Sequence, residues 1–291
     1  SGASVTAKNY AGTLAAVLEN TRVDGVYIED ARVALDRWKA GTSGAAGLLA
    51  GASIGTSEII NCATAATDDT TDPERPVPAL SAAQQTTGDA KAYNFVLGGL
   101  VGLNTAIIRN GYFTLDGTIA HCDTKDGIAG GLAGRNGNGG RIENDSISPL
   151  PRAFESDSGL GAVRAGAFGG IAGENEGVII GFGDGYDKSA APEDRDDYVV
   201  DTQERITALF GACDISVSHA FGGIAAFNKG TIENTFAFFI NPVHISVAYA
   251  GTSFDDDLCA AGGIAGFNRD GSIVDTANVL YAADPLPDDA D

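Results

Sequence analysis

A seven-residue pattern recurs along the whole chain and constrains its fold more than any other feature of the sequence. The clearest copies read GGLVGLN, GGLAGRN, GGIAGEN, GGIAAFN and GGIAGFN, and they begin at Gly98, Gly130, Gly169, Gly222 and Gly262. Weaker copies begin at Gly47 and Gly12. Self-similarity at a period of roughly 20–50 residues is typical of stacked repeat architectures. The chain is therefore predicted to consist of seven equivalent units.

Two apolar columns appear when the copies are aligned. The first column is aliphatic and comprises Leu14, Leu49, Leu100, Leu132, Ile171, Ile224 and Ile264. The second is β-branched, which favours extended chain, and comprises Val23, Ile59, Ile108, Ile142, Ile179, Ile232 and Ile273. One unit cannot bury its own apolar face, but a stack of seven can. The columns predict an all-β fold, a parallel β-helix or β-solenoid of about seven repeats, right-handed by the general preference of parallel crossovers.

Polar and glycine columns indicate how each unit turns. An Asn column follows the aliphatic one at Asn104, Asn136, Asn175, Asn228 and Asn268, with Ser53 and Leu18 in the first two copies. Stacked in this way, the amides are expected to hydrogen-bond from one coil to the next. A further small or polar column comprises Gly25, Asn61, Asn110, Asn144, Gly181, Asn234 and Asp275. Gly and Asn tolerate positive φ, and the paired Gly lets the backbone bend sharply or pack closely.

The spacing of the copies predicts one elongated domain over residues 1–281, with a degraded first coil over 12–45 and a linker or tail over 282–291. Intervals of 51 and 53 residues separate Gly47 from Gly98 and Gly169 from Gly222, so each contains an insertion. These insertions are placed at about 67–92 and 183–204, and a smaller one is placed at 149–164. The two longer segments are polar, acidic and proline-bearing, which predicts loops that leave the solenoid.

The pattern resembles the GLUG motif, whose consensus is close to GGLVGxNxGxIxN. The resemblance extends from about Gly12 to Thr276 and is clearest in the five later copies. GLUG repeats occur in large bacterial surface and secreted proteins, including adhesins and filamentous-haemagglutinin-like chains. The resemblance implies a secreted or cell-surface bacterial protein. It implies no particular activity, because the motif is a structural unit.

Charge and composition narrow the possible partners. The chain has 39 acidic and 18 basic residues, and its net charge is −21. Nucleic acid and anionic membrane surfaces are poor partners for such a chain, because both need clustered Lys and Arg. No apolar run approaches the roughly 18 residues of a membrane-spanning helix. The chain begins Ser-Gly and contains no Met, which predicts a mature or excised piece of a longer product.

The sequence contains no catalytic signature such as HExxH, GxSxG or a phosphate-binding loop. The three histidines, His121, His219 and His244, are expected to be ordinary strand residues. Four cysteines without a CxxC pair make a zinc site improbable, and free thiols are expected. The chain is therefore predicted not to be an enzyme.

Clustered acids in two segments are candidate calcium ligands, because Ca²⁺ takes carboxylate and carbonyl oxygens. They are Asp184, Asp187, Asp255, Asp256 and Asp257. The same carboxylates are the candidates for acid–base work on sugars, because β-helices also host polysaccharide lyases and glycoside hydrolases.

The sequence thus predicts a non-enzymatic structural or adhesive module. A rigid repeat scaffold would present acidic loops to an extracellular protein or glycan, or would assemble into an extracellular filament. A carbohydrate-active enzyme on the same fold is the alternative.

Overall fold

The computed structural model describes residues 4–38, 44–67, 78–84, 95–122, 127–145, 152–156, 161–182, 206–211, 213–240, 243–247 and 259–281. These residues form 33 strands and no helix, and accordingly this part of the chain has no helix that could cross a membrane. Every strand pairing among them is parallel. The prediction of a parallel β-solenoid is confirmed.

Seven coils follow one another along the chain, and each coil runs through the same succession of strands. The first three coils comprise β1 (Ser4–Ala7), β2 (Tyr10–Ala11), β3 (Ala15–Glu19), β4 (Arg22–Asp24) and β5 (Tyr27–Ile28); β6 (Arg32–Trp38), β7 (Gly44–Gly47), β8 (Ala50–Ile54), β9 (Glu58–Ile60) and β10 (Ala63–Ala66); and β11 (Leu80–Gln84), β12 (Phe95–Gly98), β13 (Val101–Asn104), β14 (Ile107–Arg109) and β15 (Tyr112–Leu115). The fourth and fifth comprise β16 (Thr118–Cys122), β17 (Ile128–Gly130), β18 (Ala133–Asn136), β19 (Arg141–Asp145) and β20 (Arg152–Ser156); and β21 (Gly161–Gly169), β22 (Ala172–Asn175), β23 (Val178–Phe182) and β24 (Ile206–Phe210). The last two comprise β25 (Cys213–Gly222), β26 (Ala225–Asn228), β27 (Thr231–Glu233) and β28 (Thr235–Ile240); and β29 (Val243–Val247), β30 (Ala260–Gly262), β31 (Ala265–Asn268), β32 (Ser272–Val274) and β33 (Ala277–Tyr281).

Stacking of the coils produces four sheets, here called A to D in chain order. Sheet A has 12 strands, because most coils contribute two strands to it. In the fifth and sixth coils those two strands are fused into β21 and β25, and β21 pairs with β16 along its first part and with β17 along its last. Sheets B, C and D have seven strands each, one from every coil. The repeat seen in the sequence is therefore one turn of the solenoid.

The core is one continuous cluster of apolar side chains that reaches from Ala11 to Phe239. From Leu49 to Ile224, the first predicted column is at most 1% exposed, as is the second from Ile59 to Ile232. A fully buried side chain of this kind stabilises the fold by about 1.5–3 kcal/mol. Both columns are thus confirmed for the inner coils.

The paired glycines are required because a side chain would not fit at these positions. A Cβ on Gly98 would lie 1.9 Å from the Val101 carbonyl oxygen, and a Cβ on Gly99 would lie 2.2 Å from the Gly131 oxygen. Neither residue has the positive φ that would favour glycine on conformational grounds. The predicted close approach of backbone at these positions is confirmed.

Left-handed residues turn the chain from sheet C into sheet D. Positive φ occurs in this column at Gly25, Asn61, Asn110, Asn234 and Asp275. Asn144 and Gly181 instead lie within β19 and β23. Both of these strands continue past the corner, and the next described strand of sheet D begins only at Arg152 or at Ile206.

Two predicted insertions contain regular strands, which corrects their boundaries. In the segment 67–92, residues 80–84 form β11 and pair with β6 and β16. In the segment 149–164, residues 152–156 form β20, and β21 begins at Gly161. Each of these strands lies between the strands that the adjacent coils contribute to sheet A or to sheet D. The insertion at 183–204 lies outside the described residues.

Candidate functional site

The acidic residues predicted as calcium ligands or sugar-cleaving carboxylates lie outside the described residues. They are Asp184, Asp187, Asp255, Asp256 and Asp257. Over the ranges that the structure does describe, no three His, Cys, Asp or Glu side chains are grouped so that they could hold a metal ion. Calcium binding and carboxylate chemistry at these positions therefore stay predictions.

The histidines all lie in strands, as the sequence indicates. They belong to β16, β25 and β29. Ser218 Oγ lies 2.8 Å from Nδ1 of His219, which is a contact that nucleophilic catalysis also uses. His219 is only 2% exposed, however, so a substrate has little access to this imidazole.

Three of the described cysteines form no disulfide, and two of them, Cys62 and Cys259, lie in contrasting surroundings. Cys62 is buried, and burial raises the pKa of its thiol, so the reactive thiolate is disfavoured. Cys259 is exposed, and its Sγ lies 3.5 Å from the Ser218 carbonyl oxygen. Neither thiol forms part of a recognisable catalytic arrangement with described residues.

A ladder of asparagine amides runs up the inside of the corner between sheets B and C. Asn104 Nδ2 donates to Asn136 Oδ1, Asn136 to Asn175, and Asn175 to Asn228, each at 2.8 Å. Asn228 donates to Asn268 at 2.7 Å. The first four amides are at most 1% exposed. The predicted Asn ladder is confirmed, and it ties five successive coils together.

A buried carboxylate joins three coils on the outer side of sheet B. Glu174 is 7% exposed. It accepts a hydrogen bond from Arg135 Nε at 2.7 Å and another from Lys229 Nζ at 2.7 Å. The hydrogen bond to Glu174 raises the pKa of Lys229, which keeps the ammonium charged. A charge buried this deeply is stable only when it is paired.

A second buried carboxylate lies on sheet C. Glu143 is 6% exposed and accepts from Arg109 Nε at 2.7 Å and from Arg141 Nε. Arg109 belongs to the coil before, so this pair also crosses between coils. Both Glu143 and Glu174 therefore hold coils together rather than forming an open site.

Sequence reasoning missed both buried carboxylates, although one signal was present. The residue before the Asn column reads Leu103, Arg135, Glu174, Phe227 and Phe267 in successive copies. Since equivalent residues of adjacent coils lie side by side, the opposite charges of Arg135 and Glu174 predict an ion pair.

Apolar side chains are exposed at the two end faces of the solenoid. The large hydrophobic side chains that are exposed in the described residues all belong to the first and last coils: Tyr10, Leu14, Val17 and Tyr27, and Ile245, Ile273 and Val274. Leu14 and Ile273 are members of the two core columns and are 48% and 39% exposed. We call these surfaces the first-coil face and the seventh-coil face, and they are the candidate interaction surfaces of the described chain.

Comparisons with known proteins identify no relative of this chain. No family model, no curated protein and no solved structure matches the chain.

Proposed function

We propose that this chain is a non-enzymatic structural module of a bacterial secreted or cell-surface protein, a stiff scaffold that presents its insertions to an extracellular protein or glycan. The resemblance to the GLUG motif supports the location and the class. The observation that carries the proposal is the continuous asparagine ladder, since a chain of hydrogen bonds across five coils, buried in all but its last rung, fixes each coil relative to the next.

The turns of the scaffold differ in a way that favours this role. From sheet A into sheet B, six of the coils turn through only two residues, such as Gly99–Leu100 between β12 and β13. Longer connections occur elsewhere, as between β10 and β11 or between β23 and β24. The turns from sheet A to sheet B and from sheet B to sheet C stay short in every coil, and the longer connections lie before and within sheet A and between sheets C and D. In repeat proteins such insertions often carry the binding face.

The ion pairs also favour a scaffold over a catalytic role. Glu143 and Glu174 are each held by two cationic groups from their own or adjacent coils. A general acid or base needs a carboxylate that can reach a substrate proton. These buried, paired carboxylates instead stiffen the stack.

Binding can be tested by removing one insertion. We expect the full chain to bind members of an array of extracellular-matrix proteins and glycans. Replacing residues 183–204 with a short Gly-Ser linker should abolish binding while the melting temperature stays within a few degrees. A matched variant that exchanges only residues 282–291 for the same linker should bind as the parent does. Binding that survives both changes would contradict presentation by that insertion.

Turnover of a polysaccharide is the outcome that would overturn the non-enzymatic proposal. A screen of neutral and acidic polysaccharides is expected to show no cleavage. Cleavage that is lost in Asp184→Asn or Asp255→Asn would establish the carbohydrate-active alternative instead.

Calcium stays a prediction for the same acids. If Asp184, Asp187 and Asp255 to Asp257 bind Ca²⁺, millimolar Ca²⁺ should raise the melting temperature and a chelator should reverse the rise. An unchanged melting temperature would contradict calcium binding by these residues.

A further inference from the structure

The two end faces differ from the rest of the solenoid in having no coil against them among the described residues. Strands β3 and β4 of the first coil pair only with β8 and β9. Strands β31 and β32 of the seventh coil pair only with β26 and β27. Each face therefore presents a row of backbone N–H and C=O groups, which is a template for pairing with another strand.

The core columns that end at the seventh-coil face would continue into the first-coil face of a second copy. Following the register from coil to coil places Ile264 level with Leu14 and Ile273 level with Val23. The same register places Phe267 level with Val17. Stacking a first coil on a seventh coil would thus continue both core columns and place Phe267 beside Val17, and it would bury the exposed parts of Leu14 and Ile273.

One charge pair favours the same arrangement. Glu176, Lys229 and Arg269 follow the Asn column in successive coils and donate equivalent backbone hydrogen bonds to Asn136, Asn175 and Asn228. Glu19 follows the first member of that column and is exposed. Stacking would place Arg269 beside Glu19, as Lys229 already lies 3.4 Å from Glu176 within the chain.

Two first-coil faces fit each other less well. Such a contact would bring Glu19, Asp24, Glu29 and Asp30 of both copies into one interface, and only Lys8 and Arg22 offset them in that coil. Like charges brought together at an interface disfavour the wrong partner. The match between the first-coil face and the seventh-coil face therefore rests on the shared register and on the pair of Arg269 with Glu19, not on net charge.

We propose that a second copy of this chain docks head to tail, with its first coil against the seventh coil of the other copy in the register that the solenoid already uses. The proposal rests on the proposed scaffold function and gives it a mode of assembly. Because the two faces are different surfaces and the register continues one solenoid axis, the contact does not close, and repetition gives an open filament.

One column limits the strength of this contact. The asparagine ladder ends at Asn268, and the residue level with it in a first coil is Leu18, which cannot accept the next amide hydrogen bond. Leu18 lies beside Ser53, whose buried Oγ has no hydrogen-bond partner among the described residues. Leu18→Asn would give Ser53 a partner and continue the ladder into the next copy, so it should strengthen association.

The test is the mass of the purified full chain as a function of concentration, measured by analytical ultracentrifugation. The weight-average mass should rise above the 29.6 kDa of one chain without a plateau at two chains. Electron micrographs of the concentrated sample should show filaments that lengthen in steps of about 34 Å, since seven coils rise by about 4.8 Å each. A chain that stays monomeric at millimolar concentration, or stops at a dimer, would overturn the proposal.

Charge variants test the register. Arg269→Glu and Glu19→Arg should each raise the concentration needed for association by at least about tenfold, because a repulsive pair replaces an attractive one. The double exchange should restore it. Arg164→Glu and Asp214→Arg make the same charge changes at exposed positions of the fifth and sixth coils and should have no effect. Equal effects of all four single variants would contradict the specific contact.

The same samples separate this proposal from the scaffold function. Monomers that still bind an extracellular ligand through the insertion would overturn head-to-tail docking alone. Filaments that cleave a polysaccharide would support docking and overturn the non-enzymatic function.

Discussion

The inner coils and the two terminal coils use the same columns of residues with different results. Ile232 in the sixth coil is fully buried, whereas Ile273 at the same position of the seventh coil is 39% exposed. Leu49 in the second coil is fully buried, and Leu14 in the first is 48% exposed. The repeat supplies the apolar side chain, but a coil on each side is needed to bury it. Stability in such a stack is a property of the interfaces between coils.

The largest difference is expected in the second core column. Ile232→Ala should lower the free energy of unfolding by about 2–5 kcal/mol, because it leaves a cavity in a closed interior. Ile273→Ala makes the same chemical change one coil further along and should cost less than about 1 kcal/mol, since that side chain is already partly in water. The two losses in free energy of unfolding are measured by urea unfolding of both variants, in samples dilute enough to be monomeric. Equal costs would show that the seventh coil is covered as well as the sixth.

The asparagine ladder should show the next largest effect. Asn175→Ala removes an acceptor for Asn136 and a donor to Asn228, so a buried amide loses its partner at a cost of about 1–3 kcal/mol. Asn268→Ala removes the exposed last rung and should cost well under half as much. The comparison is made by thermal and urea unfolding. If the two variants are equally stable, the ladder does not hold the inner coils together.

The two carboxylates that contact Lys229 are the buried Glu174 and the exposed Glu176, and their substitutions are expected to lower stability by smaller amounts. Glu174→Gln should cost about 1 kcal/mol, since Arg135 and Lys229 lose the charge that both contact but remain partly open to water. Glu176→Gln removes only the longer, exposed contact to Lys229 and should change stability by a few tenths of a kcal/mol at most. Urea midpoints at low and high salt measure both. A salt-insensitive loss in Glu174→Gln that equals the loss in Glu176→Gln would contradict the bridging role.

The smallest effects are those of pH, and they have opposite signs in the two regions. Hydrogen bonding to Glu174 raises the pKa of Lys229 above its ordinary 10.5, so this stabilisation is present below that pH and is lost as the pH rises through the raised pKa. In the first coil, Arg22 lowers the pKa of Asp24 below 3.8, so that stabilisation is lost as the pH falls through the lowered pKa. Melting temperatures across pH should show that Lys229→Gln flattens only the alkaline side and Asp24→Asn only the acid side. The alkaline change should be the larger, because Glu174 is buried while Arg22 and Asp24 are exposed.

How much of this could be predicted from the sequence depends on whether a feature repeats. The aliphatic, β-branched and Asn columns repeat with every copy, and the architecture follows from them. The corner residues Asn144 and Gly181 could not be distinguished from Asn61 or Asn110 by type, because what differs is the path of the chain after them. Strands β11 and β20 were hidden in apparent insertions for a similar reason, since the first strand of sheet A and the strand of sheet D in each coil carry no motif of their own.

The candidate surfaces were less predictable than the fold. Exposure at Leu14 and Ile273 depends on the absence of a neighbouring coil among the described residues, which no single repeat encodes. Glu143 and Glu174 are buried because cations from the coil before or the coil after reach them, and only a comparison of equivalent positions in adjacent copies reveals those partners.

The distance between spin labels along one column tests the stack of seven in-register coils most directly. Arg22, Val178 and Ser272 lie in one column of sheet C, in the first, fifth and seventh coils. With the native cysteines replaced and labelled chains diluted in unlabelled protein, the account predicts about 19 Å between labels at residues 22 and 178 and about 29 Å between labels at 22 and 272, plus the reach of the labels. Two distances that do not differ by about two coil spacings, or a broad distribution at the longer one, would contradict a single continuous solenoid.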